Sequence, residues 1–208
     1  MHPFDFSNFD MPNTGDVLFT RGTSFLNRFT CKLTGPASHQ AIFYDSGHIV
    51  EASAQTGRIE RVECNLVFSE LAERKAEWIV FHWERPPINE CLKAMIQCDL
   101  LEASQFERYS YIELPLQVMD SVINRYILRR PLQGLDTRVF RKLGDIWENG
   151  VICSKTNNNV LIKNGFIPKS TDLEYGSPSD TYRYLKSRLK SHVMILNYSK
   201  GWFDFSGT

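Results

Sequence analysis

Short apolar runs separated by turn residues dominate the first part of the chain. The run Ala37–Tyr44 and the run His48–Ala52 flank Asp45-Ser46-Gly47, three residues that are typical of a tight turn. The pattern therefore predicts a β-hairpin. Similar apolar runs predict further strands at residues 15–20, 58–63, 78–83 and 193–198.

Other segments show apolar residues at helical spacing. The first predicted helix follows a cap within Arg21–Ser24 and ends at Gly35-Pro36, since these two residues stop helices. Residues 130–148 have a mixed pattern and are predicted to be rich in loops. No internal repeat or linker is evident, so we expect one domain. The remaining helices are predicted from Ile88 to about Phe106, at 115–128, from near Cys153 to Asn164-Gly165, and from Ser177 to Leu185.

Composition places the chain among ordinary globular proteins. Of its 208 residues, 42% are hydrophobic and 23% are charged. Lys plus Arg and Asp plus Glu both number 24, so the net charge is zero, which argues against a nucleic-acid-binding surface. Two cation-rich stretches, Arg125–Arg130 and Lys186–Lys190, are interpreted as solvated helix faces and loops.

The sequence also leads to predictions about the cellular location of the protein and about metal or cofactor binding. Met1–Phe6 has no basic region followed by an apolar core, so we expect no secretory signal and a cytoplasmic protein. No apolar run is long enough for an integral membrane segment. The five cysteines are an odd number, which favours reduced thiols over a disulfide framework. No CxxC or HExxH spacing occurs, so we predict neither a metal site nor a cofactor.

Each strand of the predicted hairpin carries one residue that could take part in chemistry. These residues are His39 on the first strand and Glu51 on the second. Side chains alternate between the two faces along a strand, and residues paired across strands share a face. A turn centred on Asp45 places His39 opposite Glu51, whereas a turn centred on Ser46 makes them diagonal neighbours on one face. A turn of the other parity places His39 and Glu51 on opposite faces of the hairpin.

Cys153 differs from the other cysteines because it lies where a helix is predicted to start. A helix N-terminus carries partial positive charge and unpaired N–H groups, which favour a thiolate and could bind an oxyanion. Lys155 could strengthen the effect. The residues therefore indicate Cys153 as nucleophile, His39 as general base and then acid, and Glu51 as the group that orients the imidazole.

Structural roles for the same residues remain open alternatives. A cysteine at a helix start is often a small buried residue, His39 could be a core histidine, and Glu51 could be a solvated strand residue. His48 is a weaker candidate because it lies on the opposite strand face from Glu51. His82 lies among apolar residues and is interpreted as structural.

Several short motifs follow one another in a characteristic order. They are Gly15–Phe19, Ser38-His39, Val50-Glu51-Ala52, Tyr109–Tyr111, Cys153-Ser154 and Ser177-Pro178. This order resembles that of a known family, the circularly permuted NlpC/P60 (papain-like) cysteine hydrolases, in particular their YiiX-like branch. Proteins of the lecithin:retinol acyltransferase type are relatives of that family. The resemblance covers roughly residues 15–70 and 105–185.

The resemblance implies an α+β fold of the permuted papain-like type, with an antiparallel sheet packed against helices. It assigns the catalytic triad to Cys153, His39 and Glu51. Tyr109 matches a tyrosine that could position the substrate or the oxyanion, and Tyr111 is its nearby rival. The chain departs from the family pattern at Lys155, at Gln40, and in a long interval filled by a helical insertion around 115–150.

Together, these observations predict a cysteine hydrolase that cleaves an amide or ester bond through an acyl-enzyme. The resemblance implies peptide, cell-wall or lipid substrates. A binding module without turnover on the same fold is one alternative, since Lys155 and the long insertion depart from the family. Acyl transfer of the lecithin:retinol type is another.

Overall fold

The protein is described from a computed structural model. The residues that the structure describes are 4–53, 56–85, 88–109, 150–151, 153–171, 173–199 and 202. These residues include eight strands and five α-helices, and each of the five helices has at least ten residues. The strands are β1 Val17–Arg21, β2 His39–Phe43, β3 His48–Ser53, β4 Arg58–Glu63, β5 Glu77–Trp83, β6 Arg108–Tyr109, β7 Gly150–Val151 and β8 Val193–Tyr198. The helices are α1 Phe25–Thr34, α2 Cys64–Glu73, α3 Glu90–Phe106, α4 Cys153–Lys163 and α5 Pro178–Ser187.

The strands form one sheet in the order β7-β6-β4-β3-β2-β1-β5-β8. Every pairing from β6 through to β8 is antiparallel. At the other end, β7 pairs in parallel with β6, so that Tyr109 lies beside Val151. This last pairing brings the chain back to the sheet two residues before Cys153 and thereby places the start of α4.

The two faces of the sheet are both covered, which follows from the alternation of side chains along each strand. Val17 and Phe19 of β1 belong to one buried cluster, and Leu18 between them belongs to another. The first cluster includes residues of α3, α4 and α5. The second includes Phe68 of α2, and Phe4, Phe6 and Phe9 of the N-terminal segment pack against it.

Local signals set the ends of the helices. Ser24 caps α1 by accepting a hydrogen bond from the Asn27 amide at 3.2 Å, and Gly35 ends that helix with a φ of +128°. At α5, Ser177 and Asp180 form a capping box, each side chain accepting from the other's backbone N–H.

The α+β composition and the antiparallel sheet predicted from the sequence are confirmed. Most predicted elements are found with small changes at their ends. Helix α2 was not predicted, although Cys64, Phe68 and Leu71 recur at helical spacing. The predicted helix at 115–128 and the predicted loops at 130–148 lie outside the described residues, as does the proposed insertion, so the single-domain division stays a prediction.

Candidate active site

The register of the β2–β3 hairpin places His39 and Glu51 on one face. Ile42 pairs with Val50 and Phe43 with Ile49, so the turn is centred on Ser46. This is the arrangement in which His39 and Glu51 are diagonal neighbours. Their side chains meet, with His39 Nε2 2.8 Å from Glu51 Oε2, and they remain 28% and 23% exposed.

Cys153 reaches the same histidine from a distant part of the sequence. It is the first residue of α4, is 8% exposed, and its sulfur interacts with the His39 side chain. Because Glu51 occupies Nε2, Nδ1 is the ring nitrogen left for the sulfur. The structure therefore brings together the three residues that the sequence singled out, one each from α4, β2 and β3.

The electrostatics of this cluster follow from its contacts. Burial alone would lower the pKa of His39, but the Cys153 sulfur and the Glu51 carboxylate outweigh it and hold that pKa well above its usual value. Burial raises the pKa of Glu51, yet the hydrogen bond and the charge of His39 bring it below its usual value. The pair is thus arranged to favour imidazolium beside carboxylate.

A buried polar network fixes α4 against β2. Asn157, one turn beyond Cys153, donates its side-chain N–H to the Gln40 carbonyl at 2.9 Å. Asn158 Oδ1 accepts from Gln40 Nε2 at 3.2 Å and from the Thr181 hydroxyl at 2.9 Å. All four side chains are at most 1% exposed. The network therefore joins the helix that carries the thiol to the residue that follows His39.

Gln40 and Lys155, singled out in the sequence, have different surroundings. Gln40 is fully buried, and its side chain is long enough to donate to Asn158 of α4. Lys155 is half-buried in the first turn of α4.

The remaining candidates have different surroundings. Tyr109 lies in β6, but its side chain is outside the described part of the chain, and Tyr111 is outside it altogether. His48 Nδ1 lies 2.9 Å from Asp45 Oδ1 within the turn. His82 Nδ1 lies 2.9 Å from Asp16 Oδ1, and Asp16 is fully buried, which supports the structural interpretation of His82.

The predictions from the sequence did not include Asn157, Asn158 or the Asp16–His82 pair. Asn157-Asn158-Asn159 was a usable signal, because three consecutive asparagines are unfavourable inside a helix unless their side chains have buried partners. No comparable signal linked Asp16 to His82, since the two residues belong to different strand regions. Burial raises the pKa of Asp16, and the Asp16 hydrogen bond raises the pKa of His82.

Two further properties concern the part of the chain that the structure describes. There, no group of three or more His, Cys, Asp and Glu side chains has an arrangement able to hold a metal ion. Also within that part, none of the helices combines the length and the apolar character that a bilayer crossing requires.

Comparison with known proteins identifies a fold. No family model matches the chain, and no curated protein matches it either. A crystal structure of the metalloprotein yiiX from Escherichia coli O157:H7 aligns with a TM-score of 0.50 over 90% of each chain, at 12% identity. The protein is therefore an α+β protein with a YiiX-like fold.

Proposed function

We propose that the protein is a cysteine hydrolase with a permuted papain-like fold, acting on an amide or ester bond. The observation that supports it most is the position of the His39 imidazole, which contacts both the Cys153 thiol and the Glu51 carboxylate. A nucleophile, a base within hydrogen-bond reach and a third group that orients the base are the parts of a nucleophilic triad.

In the proposed reaction, the Cys153 sulfur attacks the carbonyl carbon of the substrate as a thiolate, and the carbonyl electron pair moves onto the oxygen. An imidazolium beside the sulfur favours the thiolate, and the raised pKa of His39 supplies that charge near neutral pH. Backbone N–H groups in the first turn of α4 would bind the oxyanion.

Collapse of the tetrahedral intermediate breaks the bond to the leaving group, which takes the proton from His39. The acyl group then remains on Cys153 as a thioester. Neutral His39 accepts a proton from water as the water oxygen attacks the thioester carbon. Collapse of this second tetrahedral intermediate breaks the C–S bond, releases the acid and leaves the Cys153 thiolate beside protonated His39. Glu51 keeps Nε2 engaged throughout, so that Nδ1 faces the sulfur.

The first experiment measures whether Cys153 is an activated thiol. The protein is treated with iodoacetamide at pH 6, and the labelling rate of each cysteine is followed by peptide mass spectrometry. The exposed thiols of Cys91 and Cys98 are internal references. We expect Cys153 to react faster than either, despite its burial, because its sulfur lies beside the His39 imidazole. Labelling of Cys153 no faster than Cys91 would contradict the proposal.

Two variants identify the source of the reactivity. His39→Ala should remove the faster labelling of Cys153, whereas His192→Ala, which changes an exposed histidine, should leave it unchanged. Turnover is then tested with activated acyl esters, following an acyl adduct on Cys153 by intact-protein mass. Loss of general acid–base help in His39→Ala should lower the rate roughly 10²- to 10⁴-fold. A reactive Cys153 that forms no acyl adduct with any ester would favour a binding module.

A further inference from the structure

The β2–β3 hairpin opens before it reaches the proposed triad. Both of its strands are described along their whole length, and their pairing stops at Ile42 and Val50. Strand β2 nevertheless begins at His39, and β3 continues to Ser53. The backbones of the two strands therefore diverge toward the end that carries the site, and a gap in the sheet lies between them there.

The backbone carbonyl of Gln40 faces this gap. The Phe43 N–H donates to the Asp16 carbonyl, and the Phe43 carbonyl accepts from the Gly15 N–H, each at 2.9 Å, so both groups point to the side of β1. Along an antiparallel strand these groups point alternately to the two neighbouring strands, so those of Gln40 point to the side of β3. A buried carbonyl needs a hydrogen-bond partner, and the pairing with β3 provides none at this position.

Asn157 of α4 provides the partner that β3 does not. Its side-chain N–H donates to the Gln40 carbonyl at 2.9 Å, and the residue is 1% exposed. Cys153 lies four residues earlier, so both side chains lie on the same face of α4. His39 and Gln40 are consecutive residues of β2. The bond therefore joins the helix to the strand about one helical turn from the contact between Cys153 and His39.

The other bonds of the buried network act on different parts of the molecule. Asn158 accepts from the Gln40 side chain and from the Thr181 hydroxyl. It also donates to the Leu173 carbonyl, so it joins α4 to α5 and to the segment that precedes α5. Of these four bonds, only that of Asn157 ends on the backbone of the strand that carries His39. Its contribution to the site can therefore be separated from that of the rest of the network.

We propose that Asn157 is a positioning residue, which keeps the His39 imidazole in contact with the Cys153 sulfur. This role rests on the function proposed above, since it concerns the same triad. Without the donor, the buried Gln40 carbonyl would lack a partner and would regain one only if β2 moved away from α4. The attraction between a thiolate and an imidazolium weakens as they separate, and a displacement of about 1 Å can cost about 10²-fold in rate. A small movement of β2 would therefore reduce the activation of the thiol.

The test compares two variants that each replace a buried polar side chain with an apolar one of similar shape. Asn157→Leu removes the donor to the Gln40 carbonyl. Thr181→Val is the matched control, because Thr181 is also fully buried and its hydroxyl donates to Asn158 Oδ1 at the same distance, 2.9 Å. Tryptophan fluorescence verifies that each variant is folded. If Asn157→Leu does not fold, Asn157→Ala takes its place.

Labelling of Cys153 by iodoacetamide is followed from pH 5 to pH 9, with the exposed Cys91 as internal reference. In Asn157→Leu we expect the labelling rate at pH 6 to fall about tenfold or more, and its rise to move up by about one pH unit, because the thiolate loses the adjacent imidazolium. Thr181→Val should keep the wild-type profile. A change in exposure alone would scale the rate by the same factor at every pH, so the shape of the profile distinguishes positioning from general loosening.

The possible results separate this role of Asn157 from the proposed function. A shifted profile in Asn157→Leu together with a wild-type profile in Thr181→Val supports the role. A wild-type profile in Asn157→Leu, or shifts of similar size in both variants, overturns it and leaves the proposed function intact. If Cys153 of the wild type reacts no faster than Cys91 at pH 6, the proposed function and the role of Asn157 are both overturned, because no activated thiol is then present to be positioned.

Discussion

The contribution of the buried network to stability can be measured at Asn158. Its side chain makes three hydrogen bonds: it accepts from Gln40 and Thr181, and it donates to the Leu173 carbonyl at 2.6 Å. A neutral hydrogen bond contributes about 1 kcal/mol net, so Asn158→Ala should lower the free energy of unfolding by about 3 kcal/mol.

Asn159→Ala is the matched control. Asn159 is the next residue of α4 and only half-buried, and its change to alanine brings the same gain in helix propensity, about 0.6 kcal/mol. The difference between the two variants therefore isolates the buried contacts of Asn158. We expect the control to be more stable than the wild type by up to about 0.6 kcal/mol, since it loses no buried contact of this network.

Urea unfolding, followed by tryptophan fluorescence, gives the comparison. With a slope of about 2 kcal/mol per M, a loss of about 3 kcal/mol lowers the midpoint by about 1.5 M. A difference of less than about 1 kcal/mol between the variants would refute the reasoning, because the three bonds would then contribute no more than one bond should.

Three further predictions concern other parts of the molecule. The folded-state pKa of His39 is above its usual 6.5 and that of Glu51 below its usual 4.5, so their pair stabilises the fold between these pH values. This stability is lost as pH rises through the folded-state pKa of His39 or falls through that of Glu51. Glu51→Gln should therefore destabilise the protein most between pH 4.5 and pH 6.5 in thermal unfolding, and a loss of the same size at every pH would contradict this. Gly35→Ala should cost about 1 kcal/mol or more, because φ is +128° and Arg183 fills the space of a Cβ; Gly47→Ala, at a turn with room for a methyl, should cost less in the same urea assay. Burial raises the pKa of Cys64 to about 12, so iodoacetamide should leave Cys64 unlabelled at pH 8 in the folded protein, and labelling as fast as Cys91 would disprove its burial.

The sequence was a good guide to local structure. Alternation of apolar residues predicted the hairpin, and glycine and serine signals predicted the limits of α1 and α5. These features depend on neighbours within a few residues, so they can be inferred from a short window. Helix α2 marks a limit of that inference, because Cys64, Phe68 and Leu71 have helical spacing although the helix is not among the predicted elements.

The candidate site could be predicted only in part. The types of residue and the helix start at Cys153 indicated a nucleophile, and the family resemblance supplied the order of the motifs. Whether His39 and Glu51 shared a face depended on the parity of the turn, which Asp45-Ser46-Gly47 did not determine. The observed register, centred on Ser46, decided it.

By itself, the sequence determined the hairpin that carries His39 and Glu51 and the helical segment that begins near Cys153, because both follow from local side-chain periodicity. Only the tertiary structure decided that the thiol meets the imidazole, since more than a hundred residues separate them and the contact depends on how α4 packs on β2.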